Sequence, residues 1–123
     1  MSETEYVSQI LGRVRRFSDN HGLHTWFVAH PRIMRREKAD GPLPVPTLYD
    51  ISGSANWANK ADIGLVVHRP NPASDRVDIY IRKVRFKAEG KIGAVSLRWD
   101  YSTGRYSEMP NSAPVIANTY RDD

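Results

Sequence analysis

No cysteine occurs anywhere in the chain, which excludes a disulfide framework and any cysteine-ligated metal. No apolar run is long enough to span a bilayer, and the acidic start "MSETE" is unlike a secretory signal. A cytoplasmic protein without a membrane partner is the expectation. There is no Gly-rich phosphate loop, no Walker A sequence before the first helix and no acidic Walker B strand. Internal repeats and low-complexity tracts are missing as well. What is present is a basic balance, 18 Lys and Arg against 14 Asp and Glu in 123 residues. That excess permits a polyanionic partner without requiring one. The length suits one domain with a modest core.

Residues from about Ser2 to Asn20 read as an amphipathic helix, because Val7, Ile10, Leu11, Val14 and Phe17 recur at spacings of three and four. Ser2 and Glu5 have capping-box spacing, and Arg13, Arg15 and Arg16 lie towards the end where the helix dipole favours base. Asn20 and Gly22 are stop signals. "LHTWFVAH" then reads as a strand covered on both faces. From Pro31 to Thr47, Gly41, Pro42, Pro44 and Pro46 predict a long loop, and loops of that length are commonly functional or disordered.

"SANWANKAD" predicts a short helix capped by Ser52 or Ser54, and "IGLVVHR" a second strand. "NPASD" is a turn into the alternating "RVDIYIRKVRF", in which Val77, Ile79 and Ile81 share a face. Val84 and Phe86 fall on the other parity, so a bulge or strand end is expected near Arg82 and Lys83. Gly90 and Gly93 flank a turn into the strand "AVSLRWD", and "DYSTGRY" turns into a last short strand. After Met109 the sequence reads as a weakly ordered tail. Helix, strand, helix, strand and a meander describe an α/β sheet with antiparallel strands at its far edge.

The stretches "ETEYVSQILGRVRRF", "HTWFVAHPR", "PTLYDISGSANWANKADIGLVVHR" and "IRKVRFKAEGKIGAVSLRWDYSTGRY" together resemble, in order, the C-terminal half of the RecA-like motor in DnaB-type replicative helicases. Phage primase-helicases, toprim-containing prophage helicases and Twinkle-like helicases are the nearest groups. The resemblance runs from about Thr4 to Tyr106, and "GSAN…KAD" with "KVRF" is its most specific part. It implies a partial RecA-like, mostly parallel sheet flanked by helices, with antiparallel C-terminal edge strands. Residues 1–109 would be the C-terminal part of the motor and 110–123 the tail. The phosphate loop and metal-binding acid are expected to belong to sequence outside these residues, and the setting to be a bacterial or phage-infected cell.

The same resemblance assigns roles. His30, at the end of its strand, falls at the sensor of the terminal phosphate of ATP, since an imidazole can bond a phosphate oxygen; the alternative is a strand-end histidine satisfied by a backbone carbonyl. Arg32, Arg35, Arg36 and Lys38 fall on a loop lining the channel for single-stranded DNA, where mobile cations meet phosphates without reading bases; the alternative is a solvated charged loop. In "KVRF", Arg85 falls at the arginine finger and Lys83 at its accompanying cation, against the alternative of an exposed strand face with edge-protecting cations. Asn59 stands where relatives commonly carry glutamine, a side chain linking nucleotide state to the DNA loop. Arg69 and Trp99 match positions that sandwich adenine in some relatives; a core tryptophan with a surface arginine is the other reading. The histidines His21, His24, His30 and His68 show no metal-ligand spacing, and no metal site is expected.

The expected function is thus part of a ring-forming, ATP-dependent DNA helicase. ATP and Mg2+ would serve the intact protein, with neither bound tightly by this chain alone. Single-stranded DNA, the preceding half of the motor and neighbouring subunits of a homo-oligomeric ring are the expected partners. Two other readings stand beside it: a nucleic-acid-binding or regulatory module derived from a helicase, and a different RecA-like ATPase such as a recombinase.

Overall fold

A computed structural model describes residues 1–36, 38–51 and 55–109. The chain opens with helix α1 (Glu3–His21). Its start follows from the capping box: Glu5 N–H donates to Ser2 Oγ at 3.2 Å, and Ser2 N–H donates to the Glu5 carboxylate at 3.1 Å. It stops at Gly22, whose φ of 62° is the left-handed geometry that a side chain disfavours. The apolar stripe turns Val7 inward, half-buries Ile10, Leu11 and Val14, and leaves Phe17 exposed.

A 3-10 turn at Leu48–Asp50 leads to the short helix α2 (Asn56–Lys60), which packs between that turn and α1. The N-cap position of α2 is Ala55, without a side-chain cap; Ser52 and Ser54, the expected caps, lie outside the described residues. Strands β1 (Ile63–His68), β2 (Arg76–Val84), β3 (Gly93–Asp100) and β4 (Arg105–Glu108) form one sheet in the order β1-β2-β3-β4. The expected 110–123 tail also lies outside the described residues.

Two expectations are overturned. The mostly parallel sheet is instead a meander in which every neighbouring pair is antiparallel. The connections 69–75, 85–92 and 101–104 are too short for the crossover that a parallel pair needs. Nor is "LHTWFVAH" a strand of the sheet. Its chain has no ladder partner among the described residues, and Trp26 and Val28 are 72% and 87% exposed. Apolar composition signalled a covered segment, but composition cannot supply the neighbouring backbone that a strand requires. The following loop touches back through the isolated antiparallel bridge of Pro31 with Ile51 and through the contacts of Arg32 with Asp50.

The expected bulge is present. Gly64 pairs with Lys83 and Leu65 with Ile81, leaving Arg82 as the extra residue of β2. Because side chains alternate along a strand, one inserted residue moves everything after it to the opposite face. Lys83 is thereby turned to the side on which Gly64 meets Leu48, the side of the 3-10 turn and α2.

Candidate functional site

The C-terminal end of α2 gathers cations from two other elements. Lys83 Nζ donates to the carbonyls of Ala58 (2.6 Å) and Asn59 (3.3 Å). Arg85, just past β2, donates through Nη2 to the Asn59 carbonyl at 2.5 Å and through Nη1 to Asp62 Oδ1 at 2.9 Å. From α1, Arg15 donates to the Lys60 carbonyl at 3.1 Å and to the same Asp62 oxygen at 3.0 Å. Positive groups at the C-terminal carbonyls complement the helix dipole and satisfy acceptors the helix leaves open. Three of the sequence-selected residues, Asn59, Lys83 and Arg85, thus meet at one place, although Asn59 takes part through its backbone. Arg15 and Asp62 were not selected. Their ion pair joins residues far apart in the chain, and no local pattern marks such a contact.

The loop cations divide into two groups. Arg32 is tied down: its N–H donates to the Asp50 carbonyl at 2.6 Å and its guanidinium meets the Asp50 carboxylate at 3.0 Å. Asp50 in turn accepts from Thr47 N–H at 2.7 Å, so the anchor is itself fixed. Arg35, Arg36 and Lys38 are exposed and form no ion pair with a described residue. His30, one residue before the Pro31 bridge, is exposed as well.

On the other face of the sheet, Arg69 and Trp99 come together with Val67, Val77 and Tyr106 around an open hollow of about 200 Å³. Trp99 leans on Tyr106, ring centroids 4.8 Å apart. Arg69 is held from behind, donating to the Ser74 carbonyl (2.9 Å) and the Tyr101 hydroxyl (3.2 Å). A flat apolar ring beside a fixed guanidinium is suited to a planar, electron-rich ligand.

A separate polar group crosses the middle of the sheet. Asp78 is buried and accepts from Ser96 Oγ at 2.7 Å and from Arg76 Nε at 2.9 Å. His68 stands opposite it in register. Burial pushes the His68 imidazole below its ordinary value, outweighing the upward pull of Asp78, and Arg82 adds to the lowering. Arg82, also buried, lies over the Tyr80 ring at 4.7 Å. Sequence reading passed over this group because its members look like ordinary alternation on a strand.

No protein-family model matches the chain. Among the described residues, no helix is long and apolar enough to cross a membrane. Over 113 residues, 89% of its length, the chain is 49% identical to the "Twinkle homolog protein, chloroplastic/mitochondrial" of Arabidopsis thaliana. The match spans 15% of that relative's length. Across nearly all of its length, then, this chain is similar to one stretch of a much longer Twinkle homolog.

Proposed function

We propose that the chain is the sensor, DNA-loop and arginine-finger part of a ring-forming, ATP-driven DNA helicase motor. The observation that carries the reading is the 49% identity to a Twinkle homolog over 89% of the chain. Three features support it. The bulge at Arg82 and the α2 carbonyls hold Lys83 and Arg85 side by side at the end of a strand, the arrangement a finger needs to reach a neighbouring subunit's ATP. Arg35, Arg36 and Lys38 stand exposed on one loop, ready for phosphates. The exposed apolar side chains of Trp26 and Val28 suit a surface that other parts of a larger assembly would cover.

In this reading His30 senses the terminal phosphate and Asn59 links that state to the loop. Arg69 and Trp99 hold the adenine at their hollow. ATP with Mg2+ is bound mainly by a phosphate loop and an acid that this chain does not contain, so the chain alone does not turn ATP over. The exposed loop cations also favour a second reading, in which the chain binds single-stranded DNA by itself as a regulatory module.

The test exchanges the matched residues into the Arabidopsis relative and measures DNA-stimulated ATP hydrolysis. Hydrolysis should survive the exchange, and Arg85→Ala should then lower kcat by about a thousandfold. An unchanged rate in Arg85→Ala, or turnover by the isolated chain, sinks the helicase-part reading. Tight single-strand binding by the isolated chain supports the regulatory module instead.

A further inference from the structure

We propose that Asp62 is the positioning residue of Arg85, braced in that task by Arg15. Asp62 holds Arg85 at both ends of the residue: its carbonyl accepts the Arg85 N–H at 2.8 Å and its Oδ1 accepts Nη1 at 2.9 Å. With Nη2 on the Asn59 carbonyl at 2.5 Å, the planar fork has two anchors in different directions. Both anchors must break before the guanidinium can turn about its Nε–Cζ bond, so it is held more firmly than one anchor would hold it. Asp62 would itself be free to turn, since its side chain is 47% exposed. Arg15 prevents this: it shares Oδ1 at 3.0 Å and is fixed in turn to the Lys60 carbonyl at 3.1 Å. The chain of contacts runs from α1 through Asp62 to the end of β2.

Half-exposed ion pairs of this kind add little to stability. What this one supplies is direction, because a planar donor fork bonds a carboxylate in few orientations. The consequence for catalysis rests on the reading of Arg85 as a finger: a finger displaced by about an ångström loses on the order of a hundredfold in rate. Lys83 donates to two carbonyls of α2, and a carboxylate change at position 62 should leave those two bonds in place.

The experiment uses the 123-residue chain, with Arg85 observed through its guanidinium nitrogens by NMR. In the unaltered chain Nη1 and Nη2 should give separate signals, the mark of hindered rotation. Asp62→Asn should speed that rotation by about tenfold or more, the loss of one charge-assisted bond. Arg15→Gln should act in the same direction with a smaller effect. The Arg85 backbone amide, bonded to the Asp62 carbonyl in every variant, is the internal control and should keep its exchange protection. Unchanged rotation in Asp62→Asn overturns the proposal, and so does a parallel loss of amide protection, which would make the effect one of folding. None of this depends on ATP hydrolysis. A restrained Arg85 whose removal leaves hydrolysis intact would refute the finger and leave the positioning standing.

Discussion

Arg32 and Asp50 are joined twice, by the backbone at 2.6 Å and by their side chains at 3.0 Å. The carboxylate is only 14% exposed while the guanidinium is 60% exposed, so Asp50 belongs to the fold and Arg32 is the partner brought to it. The first cation of the loop therefore works as an anchor, and under the proposed function phosphate binding would fall to the residues after it.

Measured in the exchanged protein across a salt series, Arg35→Gln and Arg36→Gln should each reduce the slope of log K against log salt for single-stranded DNA by about 0.7. Arg32→Gln should leave that slope nearly unchanged while loosening the loop. Equal slope changes at all three positions would show that the Asp50 pairing does not withdraw Arg32 from DNA.

Gly64 lies against Leu48 of the 3-10 turn with no room for a side chain. A Cβ there would lie 3.0 Å from Leu48 Cγ and 2.8 Å from Cδ2, with Cδ1 nearer still. Leu48 is itself buried, so its side chain has little room to move aside. Gly64→Ala should cost about 1–3 kcal/mol in chemical denaturation. Leu48→Ala alone should cost about 2–5 kcal/mol, and the pair should cost less than the sum because each change relieves the other. Strict additivity would mean that the two residues do not share this space.

The features legible in the sequence were those written locally. Ser2 with Glu5 and the glycine at position 22 fixed both ends of α1, since caps depend on residues three or four apart. The bulge at Arg82 was visible as a break of parity between Ile81 and Val84. Partner choice was not legible. The run through Trp26 and Val28 has the composition of a buried strand, yet no ladder forms beside it among the described residues. Antiparallel pairing at the C-terminal edge was legible in the turns "NPASD" and "DYSTGRY"; that every neighbouring pair of the sheet is antiparallel was not. Of the candidate site, Lys83 and Arg85 were found by resemblance, while Asp62 and Arg15 became visible only once folding had brought them together.

His68 gives the fold a pH dependence whose sign can be worked out. Its folded pKa is lowered from 6.5 mainly by burial, against the pull of Asp78 and with the help of Arg82. Below about 6.5 the unfolded chain takes up a proton that the folded chain resists, so stability is full above that value. It falls as pH drops from there through the lowered folded pKa. Denaturation midpoints for wild type and His68→Gln, compared at pH 7.5 and 5.5 (values chosen to lie roughly one unit either side of the ordinary histidine pKa), should show a larger acid loss in wild type. Identical losses would place the acid sensitivity elsewhere.

Helix α2 is too short to stand alone, for a helix of one or two turns is unstable without tertiary support. Among the described residues its N-terminal end has no side-chain cap, and the carbonyls of Ala58, Asn59 and Lys60 all receive cationic donors from outside the helix. Lys83 serves the first two. Lys83→Met keeps the apolar stem and removes the charge, so any loss reports on the hydrogen bonds rather than on packing. Stability should fall by about 1–2 kcal/mol. The amide of Asn59, which donates to the Ala55 carbonyl at 3.1 Å, should exchange faster with solvent. Lys83→Arg should recover part of both, since it restores a donor for the carbonyls. If Lys83→Met leaves the Asn59 amide as protected as before, α2 is held by its apolar contacts and the cations at its end serve another purpose.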